Sequence, residues 1–238
     1  MIKKLALLSL GVTVGLMAAD FWTKAYTDWT EKELQQMISD SPWADRMAVE
    51  TGQRGAIGNA DDKGGPMQGN LTTPITVVWR TALPIRQALA RLQYGADAAT
   101  NPQGKALLEV EQPVSVLLVN GFPGMFRADA QDTAKLVADT VIKVKGKPDL
   151  HPTEIQIPAA APPAGGAEGK GGGKGAPGAG RGGRGGGGGN FDLIVIFPKG
   201  LGLTADDKEL EFMTKVGKMT VRKKFKMKDM TINGKLEI

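Results

Sequence analysis

The sequence predicts an α+β fold: a largely antiparallel sheet, two or three short helices and a C-terminal β-meander. Three observations predict it. Apolar residues at helical spacing occur only in short runs, after Thr30 and after Pro84. Aliphatic runs of strand length stand between turn residues at 75–79, 114–119 and 191–197. Residues 209–236 alternate apolar and charged side chains with period two and contain Asn233-Gly234, the favoured pair of a type I′ hairpin turn.

The chain begins with Lys3 and Lys4, followed by an apolar or small run from Leu5 to Ala19. That order is expected of a secretory signal peptide over 1–19, with cleavage near Ala18 or Ala19. The run is shorter than the roughly 20 residues that a spanning helix needs, so no transmembrane span is expected in the mature chain. An uncleaved amino-terminal anchor is the alternative, since Leu16 or Met17 stands where a small residue is preferred. The chain has no cysteine, which excludes a disulfide framework and a lipid-accepting cysteine behind the leader. Loss of the leader leaves 28 basic against 25 acidic residues, a net charge of +3. The surplus sits late: residues 20–164 carry 14 basic and 17 acidic side chains, residues 190–238 carry 10 and 7.

Thr30-Glu31-Lys32-Glu33 has the spacing of a capping box and predicts a helix to about Ser39, with Leu34, Met37 and Ile38 on its buried stripe. Ser41-Pro42 ends it, and Trp22, Trp29 and Trp43 are expected to dock aromatic rings nearby. A polar loop is expected from Gly52 to Thr73, then a strand at Ile75–Trp79. Pro84 opens a second helix that buries Ile85, Ala88, Leu89 and Leu92 and turns Arg86, Gln87 and Gln93 to solvent. The run from Val114 to Val119 predicts a central strand covered on both faces. A short helix is expected over Arg127 to about Ala138, a half-exposed strand at Val141–Lys145, and extended chain at Ile155 and Ile157.

Residues 159–189 hold 16 glycines in 31 positions. Such a composition buries too little surface to offset its ordering entropy, so a disordered insertion or linker is expected there. The segment 190–238 is short for independent folding. The expectation is therefore one α+β domain formed by 20–158 and 190–238 around the insertion. After the tract, Phe191–Phe197 predicts a buried strand. Beyond it Val221, Lys223, Phe225 and Met227 fall on one face, and Arg222, Lys224, Lys226 and Lys228 on the other.

Several motifs resemble sites without completing them. Val116–Gly124 is similar to the strand and turn of an α/β-hydrolase oxyanion hole, but all four serines precede that turn and no cysteine can replace them. The one histidine, His151, cannot supply a zinc site. Asn59, Asp61 and Gly64 have a calcium-loop spacing that Lys63 and Asn70 spoil. Asp206-Asp207 reads as a solvated turn, and Met213, Met219, Met227 and Met230 as core residues before soft copper ligands. No cofactor motif is complete, and no cofactor is expected. Arg181 and Arg184 lie in an RGG-like stretch that binds RNA in cytosolic proteins; the expected export argues against nucleic acid as a partner.

Two blocks resemble a family of exported bacterial proteins with no assigned function. One runs from Trp29-Thr30-Glu31-Lys32-Glu33 through Ser41-Pro42-Trp43-Ala44. The other runs from Asp206-Asp207-Lys208-Glu209-Leu210-Glu211-Phe212 through Lys224-Phe225-Lys226-Met227-Lys228-Asp229-Met230 to Gly234-Lys235-Leu236-Glu237-Ile238. The resemblance implies export and a shared fold, and brings no catalytic residues.

The expectation for function is a periplasmic or secreted, non-enzymatic binding or structural protein. Its candidate contacts are Arg222, Lys224, Lys226 and Lys228 on the strand face, with Arg181 and Arg184 in the tract. Its candidate partners are an anionic polysaccharide, lipid headgroups or an envelope protein. A carboxylate-dependent hydrolase of glycosidase type is the alternative, and it requires two carboxyl groups about 5 to 10 Å apart in one cleft.

Overall fold

The computed structural model describes residues 21–57, 67–109, 111–158 and 189–238. The expected leader, the Asn59–Gly64 loop, Arg181 and Arg184 lie outside these residues. The fold is α+β. Its helices are α1 (Glu31–Ser39), α2 (Leu83–Tyr94), α3 (Pro102–Glu109) and the six-residue α4 (Thr133–Ala138). An antiparallel sheet of six strands runs in the order β1 (Asp40–Ser41), β2 (Ala44–Ile57), β3 (Met67–Trp79), β4 (Val114–Phe122), β7 (Phe191–Pro198), β6 (Glu154–Gln156). A second antiparallel sheet holds β5 (Val141–Val144), β8 (Glu209–Val216) and β9 (Met219–Lys226), and a two-stranded ribbon pairs β10 (Thr231–Ile232) with β11 (Lys235–Leu236). Chain from both sides of the glycine-rich tract enters both larger sheets: β7 lies between β4 and β6, and β8 pairs with β5. Among the described residues no helix is long and apolar enough to cross a membrane.

Alternation places the core. Ile75, Val77 and Trp79 on β3, Leu117 and Val119 on β4, and Leu193, Val195 and Phe197 on β7 are buried. They share one apolar cluster with Ile142, Leu210, Phe212, Val221 and Phe225 of the smaller sheet. The Trp79 ring meets Phe225 edge-on at 6.0 Å between centroids, joining the two sheets. An ion pair of 2.6 Å from Lys223 on β9 to Asp45 on β2 closes one side. Thr140 and Thr214, both fully buried, satisfy each other through hydroxyls 2.7 Å apart.

The capping box forms as spelled. Glu33 N–H donates to Thr30 Oγ1 at 3.4 Å, and Thr30 N–H donates to Glu33 Oε2 at 2.7 Å. Lys24 reaches the same carboxylate at 2.8 Å. The Lys24 ammonium first, then the Thr30 amide and hydroxyl, hold the Glu33 carboxyl at a pKa of about 2, below its ordinary 4.5. A depressed carboxyl pKa contributes stability that is present above pH 4.5 and lost as pH falls through about 2. Thr30→Ala is therefore expected to cost about 1 kcal/mol at neutral pH. It should also flatten part of the acid limb of a urea-melt stability profile, since it removes the Thr30 hydroxyl from the ionised Glu33 while Lys24 and the backbone amide remain.

Five expectations need correction. Of the expected Gly52–Thr73 loop, the described residues 52–57 and 67–73 belong instead to the long paired strands β2 and β3, with a register shift between Glu50 and Arg54. Pairing there runs through backbone amides, which need no apolar pattern. The central strand β4 is covered fully on one face only: Leu117 and Val119 are buried, while Val116 and Leu118 are half-buried. Arg86 does not point to solvent. Its guanidinium donates to the Thr81, Leu107 and Leu108 carbonyls, the last two at the end of α3. The fourth helix starts at Thr133 rather than Arg127, because Asp132 Oδ1 accepts the Lys135 N–H at 3.0 Å and fixes the cap there. The C-terminal strands form a β8–β9 hairpin in one sheet and a separate β10–β11 ribbon, whose turn at Asn233 (φ 50°) and Gly234 (φ 77°) is as the sequence predicts.

Candidate functional site

The sequence reading singles out the outer face of β9, and cross-strand register decides what that face presents. Val221 and Phe225 point to the core with Lys223 half-buried beside them, so Arg222, Lys224 and Lys226 project outward and are exposed. They are not a bare cationic track. Lys224 stands opposite Glu211 and Lys226 opposite Glu209 on β8, and Glu211 stands opposite Lys143 on β5. The face is thus a ladder in which one acidic strand is flanked by a basic strand on each side.

Across β8 and β9 the ion pairs run diagonally rather than between residues directly opposite. Lys224 binds Glu209 at 2.8 Å, Arg222 reaches Glu211 at 3.4 Å, and Lys143 reaches Asp149 at 3.6 Å. Glu209 holds the Lys224 ammonium above the ordinary lysine value, first by its hydrogen bond and then by its charge. Such exposed pairs contribute little to stability, but they orient side chains. Among the described residues, Lys145 and Lys226 make no ion pair. The face therefore sets five cations, Lys143, Lys145, Arg222, Lys224 and Lys226, against the carboxylates of Asp149, Glu209 and Glu211. A cleft of about 680 Å³ opens on it, and Asp206, Asp207 and Lys208 line its edge; Lys147 pairs with Asp207 and Lys208 offsets Asp206, so the excess of two cations stands.

Lys228 does not belong to this ladder. It lies beyond the end of β9 and lines a different groove, beside Trp22 and Asp229. Sequence alternation carries the strand pattern past the residue where the strand stops, and only the turn at Asp229, whose N–H donates to the Lys226 carbonyl at 3.0 Å, reveals the break. Lys143 on β5, with Lys145 just past the end of that strand, is the converse case. The place of Lys143 beside β8 depends on pairing with Glu211 across more than 60 residues, which no local signal announces.

The other candidates resolve into structural roles. Gly121 N–H donates to Asp192 Oδ1 at 3.1 Å, so the oxyanion-like turn spends its amide within the fold. His151 Nδ1 lies 2.9 Å from the Thr140 carbonyl oxygen. Asp207 accepts the Thr204 N–H at 2.8 Å and pairs with Lys147 at 2.5 Å, and its carboxyl is held below the usual range by that lysine first and the Thr204 amide second. Met219, Met227 and Met230 are fully buried and Met213 half-buried. No group of three or more His, Cys, Asp or Glu among the described residues is arranged to hold a metal ion.

Glu209 and Glu211 lie on one face about 7 Å apart along β8, within the spacing a glycosidase needs. Each is already engaged by a cation of β9. The sequence matches no protein-family model, no curated protein and no solved structure.

Proposed function

We propose that this chain is an exported, non-enzymatic binding protein that holds an acidic polysaccharide of the cell envelope against the outer face of the β5–β8–β9 sheet. The observation that carries the reading is the ladder itself: five cations against three carboxylates, with Lys145 and Lys226 unpaired among the described residues. Successive cations of β9 repeat about every 7 Å along the strand, a spacing that an extended chain of carboxylate-bearing sugars can follow. The Glu209 and Glu211 pairs orient Lys224 and Arg222 and subtract from the net attraction, which favours reversible contact. Export rests on the amino-terminal Lys3-Lys4 and Leu5–Ala19 pattern. The hydrolase reading is weaker, because a general acid needs a raised carboxyl pKa. The displaced carboxyls of Glu33, Glu111 and Asp207 are all displaced downward, each first by a lysine hydrogen bond.

The test is retention on polygalacturonate beads across a salt series, beside the triple variant R222Q/K224Q/K226Q. Binding that weakens with salt and is lost in the variant is the expected result. Equal retention of both proteins, or retention of neither, would overturn the reading. Anionic phosphatidylglycerol vesicles in a parallel series report whether lipid rather than polysaccharide is the preferred polyanion.

A further inference from the structure

Three segments far apart in the sequence converge on a second groove, of about 560 Å³, within the 300–1,000 Å³ usual for small-ligand sites. The amino-terminal 3-10 turns Phe21–Thr23 and Tyr26–Asp28 supply Trp22 and Tyr26. The first turns of α2 supply Gln87, and the turns that follow β9 supply Lys228, Asp229 and Asn233. Position is fixed from below: Trp22 meets the buried Trp43 edge-on at 6.1 Å, and the Trp43 indole N–H donates to the Glu237 carbonyl at 2.7 Å.

The chemistry of the lining is specific. Trp22 and Tyr26 are half-buried, whereas Trp29, Trp43 and Trp79 are buried. Around these rings Gln87, Lys228, Asp229 and Asn233 make no side-chain hydrogen bond or ion pair with the described residues. The contrast with the charged ladder is plain, since most charges there are already spent on one another. Aromatic faces carry partial negative charge and accept the polarised C–H groups on one side of a pyranose ring. Two amides, a carboxylate and an ammonium together offer donors and acceptors of the kind that hydroxyl groups require. Asn233 is held in place by its positive φ of 50° in the β10–β11 turn.

We infer that this groove is a saccharide-binding site, in which a pyranose ring packs on Trp22 and Tyr26 while Gln87, Lys228, Asp229 and Asn233 hydrogen-bond its hydroxyl groups. The site is separate from the ladder and needs no charge on the sugar. It extends the proposed function from a charge-based contact to recognition of the sugar itself, but it stands on its own observations.

Titration of the full-length protein with cellotriose, maltotriose and chitotriose at high salt tests it, read by tryptophan fluorescence and by calorimetry. At least one trisaccharide is expected to bind and shift the emission, because Trp22 is the half-exposed indole among the four. Trp22→Ala is expected to weaken binding by about tenfold or more. Trp22→Phe keeps a stacking face and should retain most of it. Asp229→Asn and Gln87→Ala leave the aromatic cluster intact and should each weaken binding severalfold, which separates a lost contact from a disturbed fold. The R222Q/K224Q/K226Q variant should bind the trisaccharides as the native chain does. Absence of binding by all three sugars would overturn the inference, as would unchanged affinity in Trp22→Ala and Asp229→Asn. Loss of trisaccharide binding in the ladder variant would overturn the separation of the two sites.

Discussion

Trp79→Ala is expected to lower the unfolding free energy by about 3–5 kcal/mol. Trp79 is fully buried at the last position of β3, where its backbone N–H donates to the Trp43 carbonyl at 2.8 Å and its indole ring packs edge-on against Phe225. Removing it opens a cavity between the two sheets that their paired strands cannot close. Typical domains are stable by only about 5–15 kcal/mol, so the loss consumes a large share of the total. Trp79→Phe separates the contributions. The Trp79 Nε1 is buried without a hydrogen-bond partner among the described residues, and such a group costs about 1–3 kcal/mol. The phenyl ring discards that cost while keeping much of the volume, so its urea midpoint should fall well short of the alanine loss. A Phe variant as unstable as the Ala variant would contradict the assignment.

Gly121→Ala should destabilise by about 2–4 kcal/mol, whereas alanine for glycine in an ordinary strand stabilises. The residue has φ +103°, and an added Cβ would sit 2.6 Å from the Pro74 carbonyl oxygen. That oxygen belongs to the backbone of β3 and cannot swing away. The position lies where the β4–β7 register shifts between Val119 and Phe122, and Asp192 accepts its N–H. Thermal melts of the variant at wild-type midpoint would show that β4 lacks this bulge.

The parts legible in the sequence are those in which neighbouring residues decide the outcome. Thr30 and Glu33 close a capping box three residues apart, Asn233-Gly234 takes its turn, and Leu210, Phe212, Val221 and Phe225 turn inward by period two. Asn101-Pro102 also announces α3 by its own chemistry: Asn101 Oδ1 accepts the Gln103 and Gly104 amides at 2.8 and 3.2 Å. A search for apolar periodicity passes over that cap. Other features are set by distant partners. The outer β2–β3 hairpin pairs polar, glycine-rich chain through its backbone, and Arg86 is drawn from solvent by carbonyls more than 20 residues away. The candidate sites divide in the same way. The outward set of Arg222, Lys224 and Lys226 is local, but the acids that answer it come from register, and the Trp22 groove comes from three segments that share no motif.

The salt dependence of polygalacturonate binding tests the central claim most directly. Five cations against three carboxylates leave two net cations, so the logarithm of affinity should fall linearly with the logarithm of salt concentration with a slope of about −2 if each net cation displaces about one counterion. In R222Q/K224Q/K226Q that slope should collapse toward zero. A slope near zero in the native protein, or one that the variant leaves unchanged, would contradict the assignment of binding to the outer face of the β5–β8–β9 sheet.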